Sequence, residues 1–167
     1  MIDNTAFKKE LEERVKEINA GIAGYLPEEK GCQKTIFEAM NYSMNAGGKR
    51  LRPLLMQEVC RLFTGEVSEI VKPFMAAIEM IHTSSLVHDD LPCMDDDMIR
   101  RGKASTWAEY GEDIGVLAGD ALMMYAFETA SKAFDAAEDA DALLRAGKAM
   151  GILAAKTGGY GMIGGQT

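Results

Sequence analysis

Residues 71–90 read VKPFMAAIEMIHTSSLVHDD, and this stretch limits the fold more than any other part of the chain. Apolar side chains occupy nearly the whole circumference of the implied helix, so it belongs in the middle of a bundle rather than on a surface. Other segments must wall it in. Helical periodicity does recur along the chain, as in Phe7, Leu11, Val15, Ile18 and Ile22, and no alternating strand pattern persists. The expected class is all-α. Glycine- and proline-marked breaks at 25–31, 45–53, 64–66 and 102–105 place helices near 3–22, 33–45, 52–63, 70–91, 106–133 and 138–157. The last is an Ala-rich amphipathic scaffold helix with Leu143, Leu144 and Ile152 as its expected apolar contacts.

A chain of 167 residues is enough for one domain, or a piece of one. No apolar run approaches the roughly 20 residues of a membrane span. The opening MIDNTAFKKELEERVKEINA is charged and amphipathic, unlike a signal peptide, which argues for the cytoplasm. A net charge of -8 weighs against nucleic acid and anionic membranes as partners, and leaves divalent metals open. Cys32, Cys60 and Cys93 lie far apart without C-x-x-C spacing or nearby histidines, so they are read as reduced and structural.

The apolar helix runs into HDDLPCMDDDMIRRG, residues 88–102, with five aspartates ahead of two arginines. Like charges crowded at the end of a core helix disfavour themselves unless cations neutralise them. Magnesium suits the need, because it takes one or two carboxylates and completes its shell with water and phosphate oxygens. At about 100° per residue, Asp89 and Asp95 would stand ~600° apart on an unbroken helix. Pro92, which lacks an amide hydrogen and opens the backbone before it, allows the two carboxylates to converge. Asp90, Asp96 and Asp97 are then left for supporting or outward positions.

Two basic clusters flank the acids in sequence. Lys49, Arg50 and Arg52 occupy a Gly-Gly loop that Pro53 turns into a helix start, which favours anions. Arg100 and Arg101 follow the aspartates directly. Beside a metal cluster, the two groups suggest two diphosphates, one on metal and one on arginine and lysine. His82 lies seven residues before Asp89, on nearly the same helical face.

GGKRLRP, HTSSLVHDDLPCMDDDMIRRG, VLAGDALMMYAFE and GMIGGQ, in that order, resemble the trans-isoprenyl diphosphate synthases from about residue 38 to the end of the chain. The resemblance implies the N-terminal part of an isoprenoid-synthase helical bundle and a head-to-tail condensation of isopentenyl diphosphate with an allylic diphosphate. It implies magnesium on Asp89 and Asp95, isopentenyl diphosphate on Lys49, Arg52, His82 and Arg101, and Arg100 facing the allylic diphosphate. His88 has no assigned role. Ionisation of the allylic diphosphate, attack by the isopentenyl double bond and loss of a proton would complete the reaction without a side-chain nucleophile. Ser84 and Ser85, one turn before the aspartates, are the positions that would set product length. Their small size and the Pro92-Cys93 insertion point to geranylgeranyl diphosphate, with farnesyl diphosphate close behind, unless Met80 or Met123 closes the cavity. A homodimer is also implied.

The sequence contains no second aspartate-rich segment. Lys156 and Thr157 precede GGQ and are read as structural. Residues 1–167 are therefore expected to form a single partial domain, cut at its glycine-rich tail, with little or no synthase activity alone. Two other classes stay open: a non-catalytic partner subunit of a synthase, and a magnesium-dependent terpene cyclase.

Overall fold

In the computed structural model, residues 4–167 are described. The start expected at residue 3 lies outside them. Among the described residues eight helices follow in order: α1 Asn4–Ala23, α2 Lys34–Met44, α3 Leu51–Thr64, α4 Val71–Asp89, α5 Thr106–Tyr110, α6 Glu112–Asp135, α7 Ala140–Thr157 and α8 Met162–Gly165. The fold is all-α apart from a two-stranded hairpin, β1 Ile99–Arg100 and β2 Lys103–Ala104, in which Ile99 pairs with Ala104.

The α4 helix is central, as its apolar circumference requires. Phe74, Ala77, Met80, Ile81 and Val87 are all buried, against α6 on one side and α3 on another. The α6 face is a stripe of small residues, Gly115, Ala118, Gly119, Ala126, Ala130 and Ala133, all buried, with Leu122 among them. Small side chains let two helix backbones approach closely.

Three expectations change. The helix foreseen over 106–133 is two helices, because Gly111 at φ 98° takes a conformation that only glycine adopts cheaply and bends the chain between them. The 102–105 break is the tip and second strand of the hairpin. On α7, Leu143, Leu144 and Ile152 face outward, at 49%, 57% and 64% exposure, and Ala142 and Ala146 are buried instead. An Ala-rich helix can seat its small face against the core and leave its leucines outside, an inversion that hydrophobicity alone does not signal. Asp139 caps α7, accepting a bond from the Ala142 amide at 2.6 Å.

Candidate functional site

Two cavities open along the C-terminal half of α4, and their linings differ in kind. One, of about 570 Å³, is lined by Lys49, Arg50, Arg52, Glu79, His82 and Arg101. The other, of about 410 Å³, is lined by Ser85, His88, Asp89, Met123, Met162 and Gln166 among others.

The cationic cavity is assembled by a loop and the hairpin. Gly47 (φ 90°) and Gly48 (φ 136°) turn the chain from α2 into α3. Arg101, at φ 53° in the hairpin turn, reaches back across them and donates through Nη1 to the Gly47 carbonyl oxygen. A β-carbon on Gly48 would lie 2.7 Å from that same nitrogen, so the glycine is a seat for the guanidinium. His82 rises from α4 behind the loop. Burial and then the charge of Arg52 hold its imidazole below the usual histidine range, which leaves it neutral near pH 7. Burial and the neighbouring Arg50 likewise press Arg101 below its usual value. A bound anion would relieve both costs. The structure thus brings the four sequence-predicted residues Lys49, Arg52, His82 and Arg101 into one cavity.

Arg50 is not one of the outward cations of this loop. It is 4% exposed and bonded into the core.

The acidic turn closes through its backbone. The Asp95 amide donates to the Asp89 carbonyl at 2.8 Å, and the amides of Asp96 and Asp97 donate to the carbonyls of Leu91 and Asp90, each at 3.1 Å. Asp89 and Asp95 are returned to one neighbourhood in this way, after α4 ends at Asp89. Burial, followed by the charges of Asp95 and Asp90, raises the Asp89 carboxyl above the ordinary carboxylate range. Its Oδ1 accepts a bond from Gln166 Nε2 at 3.0 Å.

Among the described residues, no three His, Cys, Asp or Glu side chains converge as a ready metal site. The donor set at the turn is hard oxygen from two carboxylates that repel one another. This fits magnesium, whose remaining ligands come from water and phosphate.

Of the supporting or outward positions expected for Asp90, the structure shows an inward, bracing one: it is 2% exposed and accepts from Arg100 Nε at 2.9 Å through Oδ1 and at 3.2 Å through Oδ2, and Oδ1 also accepts from Nη2. A carboxylate shut away from water needs such a two-pronged cation. Arg100 also bonds Asp97 at 3.3 Å, and it lines neither of the two cavities.

The two serines part company. Ser84 is fully buried and donates to the Gly119 carbonyl on α6 at 2.8 Å, while Ser85 donates back to the His82 carbonyl at 2.8 Å and lines the second cavity. Met80 is buried in the core and Met123 lines that cavity. His88 lies against Gly119, where any β-carbon would strike its ring, with Nε2 3.1 Å from the Val116 carbonyl oxygen and 3.6 Å from Asp120 Oδ1.

Glu79, Asp120 and Gln166 were not singled out as site residues from sequence. For the two acids, the available signal was a lone charge inside an otherwise apolar helix. No helix among the described residues is long and apolar enough to cross a membrane.

The chain is 50% identical over 131 residues to the heterodimeric geranylgeranyl pyrophosphate synthase large subunit 1, chloroplastic, of Arabidopsis thaliana, covering 78% of this chain and 34% of that protein. It is 42% identical over 159 residues to a dimethylallyltranstransferase of Fischerella ambigua, covering 93% and 43%. The chain thus spans well under half of each of these curated relatives. An FPP/GFPP synthase from Zymomonas mobilis superposes with a TM-score of 0.85 at 38% identity, over 95% of this chain and 55% of its own. The polyprenyl synthetase family model matches residues 33–157, which hold both the cationic loop and the acidic turn. By that match, the chain belongs to the polyprenyl synthetase family.

Proposed function

We propose that the chain supplies the isopentenyl diphosphate site and the first metal-binding wall of a short-chain trans-prenyltransferase. In this reading the whole enzyme condenses isopentenyl diphosphate with dimethylallyl, geranyl or farnesyl diphosphate, giving geranylgeranyl or farnesyl diphosphate and free diphosphate. The observation that carries the reading is the pair of unlike cavities served by one helix: a cationic one holding His82, and a largely apolar one with Asp89 in its wall.

Lys49, Arg52 and Arg101 match the charge of one diphosphate, and neutral His82 offers it a hydrogen bond without adding repulsion toward the arginines. Arg100, braced by Asp90, is assigned to the allylic diphosphate. Asp89 and Asp95 would hold magnesium, which supplies charge neutralisation for the departing diphosphate when bound. Ser85 and Met123 border the space a growing hydrocarbon would fill; we keep Ser84 in the reading only as a packing residue beside it. A single partial domain, a homodimer and a cytoplasmic location complete the proposal.

Incubation of labelled isopentenyl diphosphate with each allylic diphosphate and magnesium tests it, on both the 167-residue chain and the product of the intact gene. The expectation is geranylgeranyl or farnesyl diphosphate from the intact product and little or none from the chain alone. Farnesyl diphosphate alone from the intact product would remove the deeper-cavity argument. Hydrocarbon released without isopentenyl diphosphate would instead identify a cyclase. Activity seen only after mixing with a co-purifying synthase would identify a partner subunit.

A further inference from the structure

We propose that Arg50 and Glu79 act as a positioning pair that fixes the anion-binding conformation of the 45–52 loop without touching the anion; this rests on the reading of the cationic cavity given above. In the sequence Arg50 is one of three basic residues in four positions, and electrostatics alone would count it toward the bound diphosphate. Its geometry does not. Arg50 has left-handed backbone angles (φ 48°, ψ 35°), one of three such non-glycine residues among those described. A side chain held there costs energy that the surroundings must offset.

Three bonds to three helices offset it. Arg50 Nε donates to Asn19 Oδ1 at 2.8 Å on α1, Nη2 to the Met44 carbonyl at 2.6 Å at the end of α2, and Nη1 to Glu79 Oε1 at 2.9 Å on α4. The guanidinium is therefore a peg, driven inward. With Arg50 so fixed at the cap of α3, the residues on either side of it, Lys49 and Arg52, remain exposed at the cavity.

Glu79 makes the case independently of Arg50's own strain. It is 2% exposed, it lines the anion cavity, and its second oxygen, Oε2, is buried without a partner. A carboxylate in that wall opposes an incoming anion by simple Coulomb repulsion. Its presence is accounted for if its task is to hold Arg50. Charge counting and positioning then predict opposite signs for the same substitution.

Binding of inorganic pyrophosphate to the 167-residue chain, followed by titration calorimetry, distinguishes them. If only charge matters, Glu79→Gln removes a repulsive group and tightens binding. Positioning predicts the reverse, a loss of roughly tenfold or about 1.4 kcal/mol. Arg50→Lys keeps the charge but cannot serve three acceptors with a planar fork, and should lose affinity similarly. Amide exchange across 46–49 should accelerate in both variants, while exchange in the α6 core stays slow. If Glu79→Gln does not fold, as judged by far-UV circular dichroism, Arg50→Lys decides alone. Lys49→Ala/Arg52→Ala serves as the control. Pyrophosphate binding that ignores this control overturns the reading of the cavity itself. Binding that responds to the control but is unchanged or tighter in Glu79→Gln, or unchanged in Arg50→Lys, overturns the positioning role alone.

Discussion

The Arg100 guanidinium and the Asp90 carboxylate face each other in a two-pronged pair: Nε of Arg100 lies 2.9 Å and 3.2 Å from the two oxygens of Asp90, and Nη2 donates to Oδ1 as well. The pair ties the end of α4 to the hairpin and brackets Asp95, Asp96 and Asp97 between its members. Asp90 is the buried partner and Arg100 is about one third exposed, so the cost of breaking the pair falls mainly on Asp90. Asp90→Asn should destabilise the chain by about 2 kcal/mol, below the ~3–5 kcal/mol of a fully buried pair because solvent reaches the arginine. Urea titration reads this directly. An unchanged midpoint would mean that the hairpin is held by other contacts.

Stability should also depend on pH through His82. Its folded value lies below the ordinary 6.5, because burial and then Arg52 disfavour the charged ring. The unfolded chain therefore binds more protons as pH falls through 6.5, and stability falls with it until the lowered folded value is passed. Above 6.5 the effect is absent. Denaturation at pH 7.5 and 5.5 should show a drop in the wild type that is smaller in His82→Gln, and equal drops would refute the assignment.

Ser84 and Ser85 are adjacent, yet an aromatic ring should act differently at each. At Ser84, fully buried and bonded to Gly119, a phenyl group has no room where the two central helices meet, and Ser84→Phe should destabilise by at least about 1–3 kcal/mol. At Ser85 the ring would enter the second cavity toward Met123. Ser85→Phe should keep near-native stability and, in the intact enzyme, shift product toward shorter chains. Thermal melts combined with product chromatography test both halves.

Gly48→Ala should weaken pyrophosphate binding by roughly fivefold to tenfold, or about 1–1.4 kcal/mol. The methyl group would push the Arg101 guanidinium off its seat, and φ 136° would be strained for alanine. Calorimetry of the variant beside Arg101→Ala provides the check. If seating Arg101 is the purpose of Gly48, the double variant should be little worse than Arg101→Ala alone.

Helical class and the central place of α4 were legible from periodicity and the positions of glycine, which carry that information locally. The grouping of Lys49, Arg52, His82 and Arg101 came instead with the resemblance of the motifs. The direction taken by individual charges was not legible. Arg50 lies between Lys49 and Arg52 but points the other way, because the bend at its backbone is settled by Asn19 and Glu79, which are remote in sequence, together with the Met44 carbonyl at the end of α2. Asp90 adjoins Asp89 but is buried, because a hairpin ten residues later returns Arg100 to it. The hairpin escaped notice since strands of two residues are too short to establish alternation. On α7 the most hydrophobic residues mislead, as the small face made by Ala142 and Ala146 fits closer to the core.

The closure of the acidic turn by main-chain bonds, Asp95 amide to Asp89 carbonyl foremost, sets what this segment can tolerate in descent. Exposed Cys93 and Met94 can be exchanged for other residues while the ring of amides and carbonyls stays intact. Adding or deleting one residue between Asp89 and Asp95 shifts every donor past its acceptor. With the Pro92-Cys93 insertion in place, the segment should therefore tolerate exchange at Cys93 and Met94 more readily than a one-residue change of length.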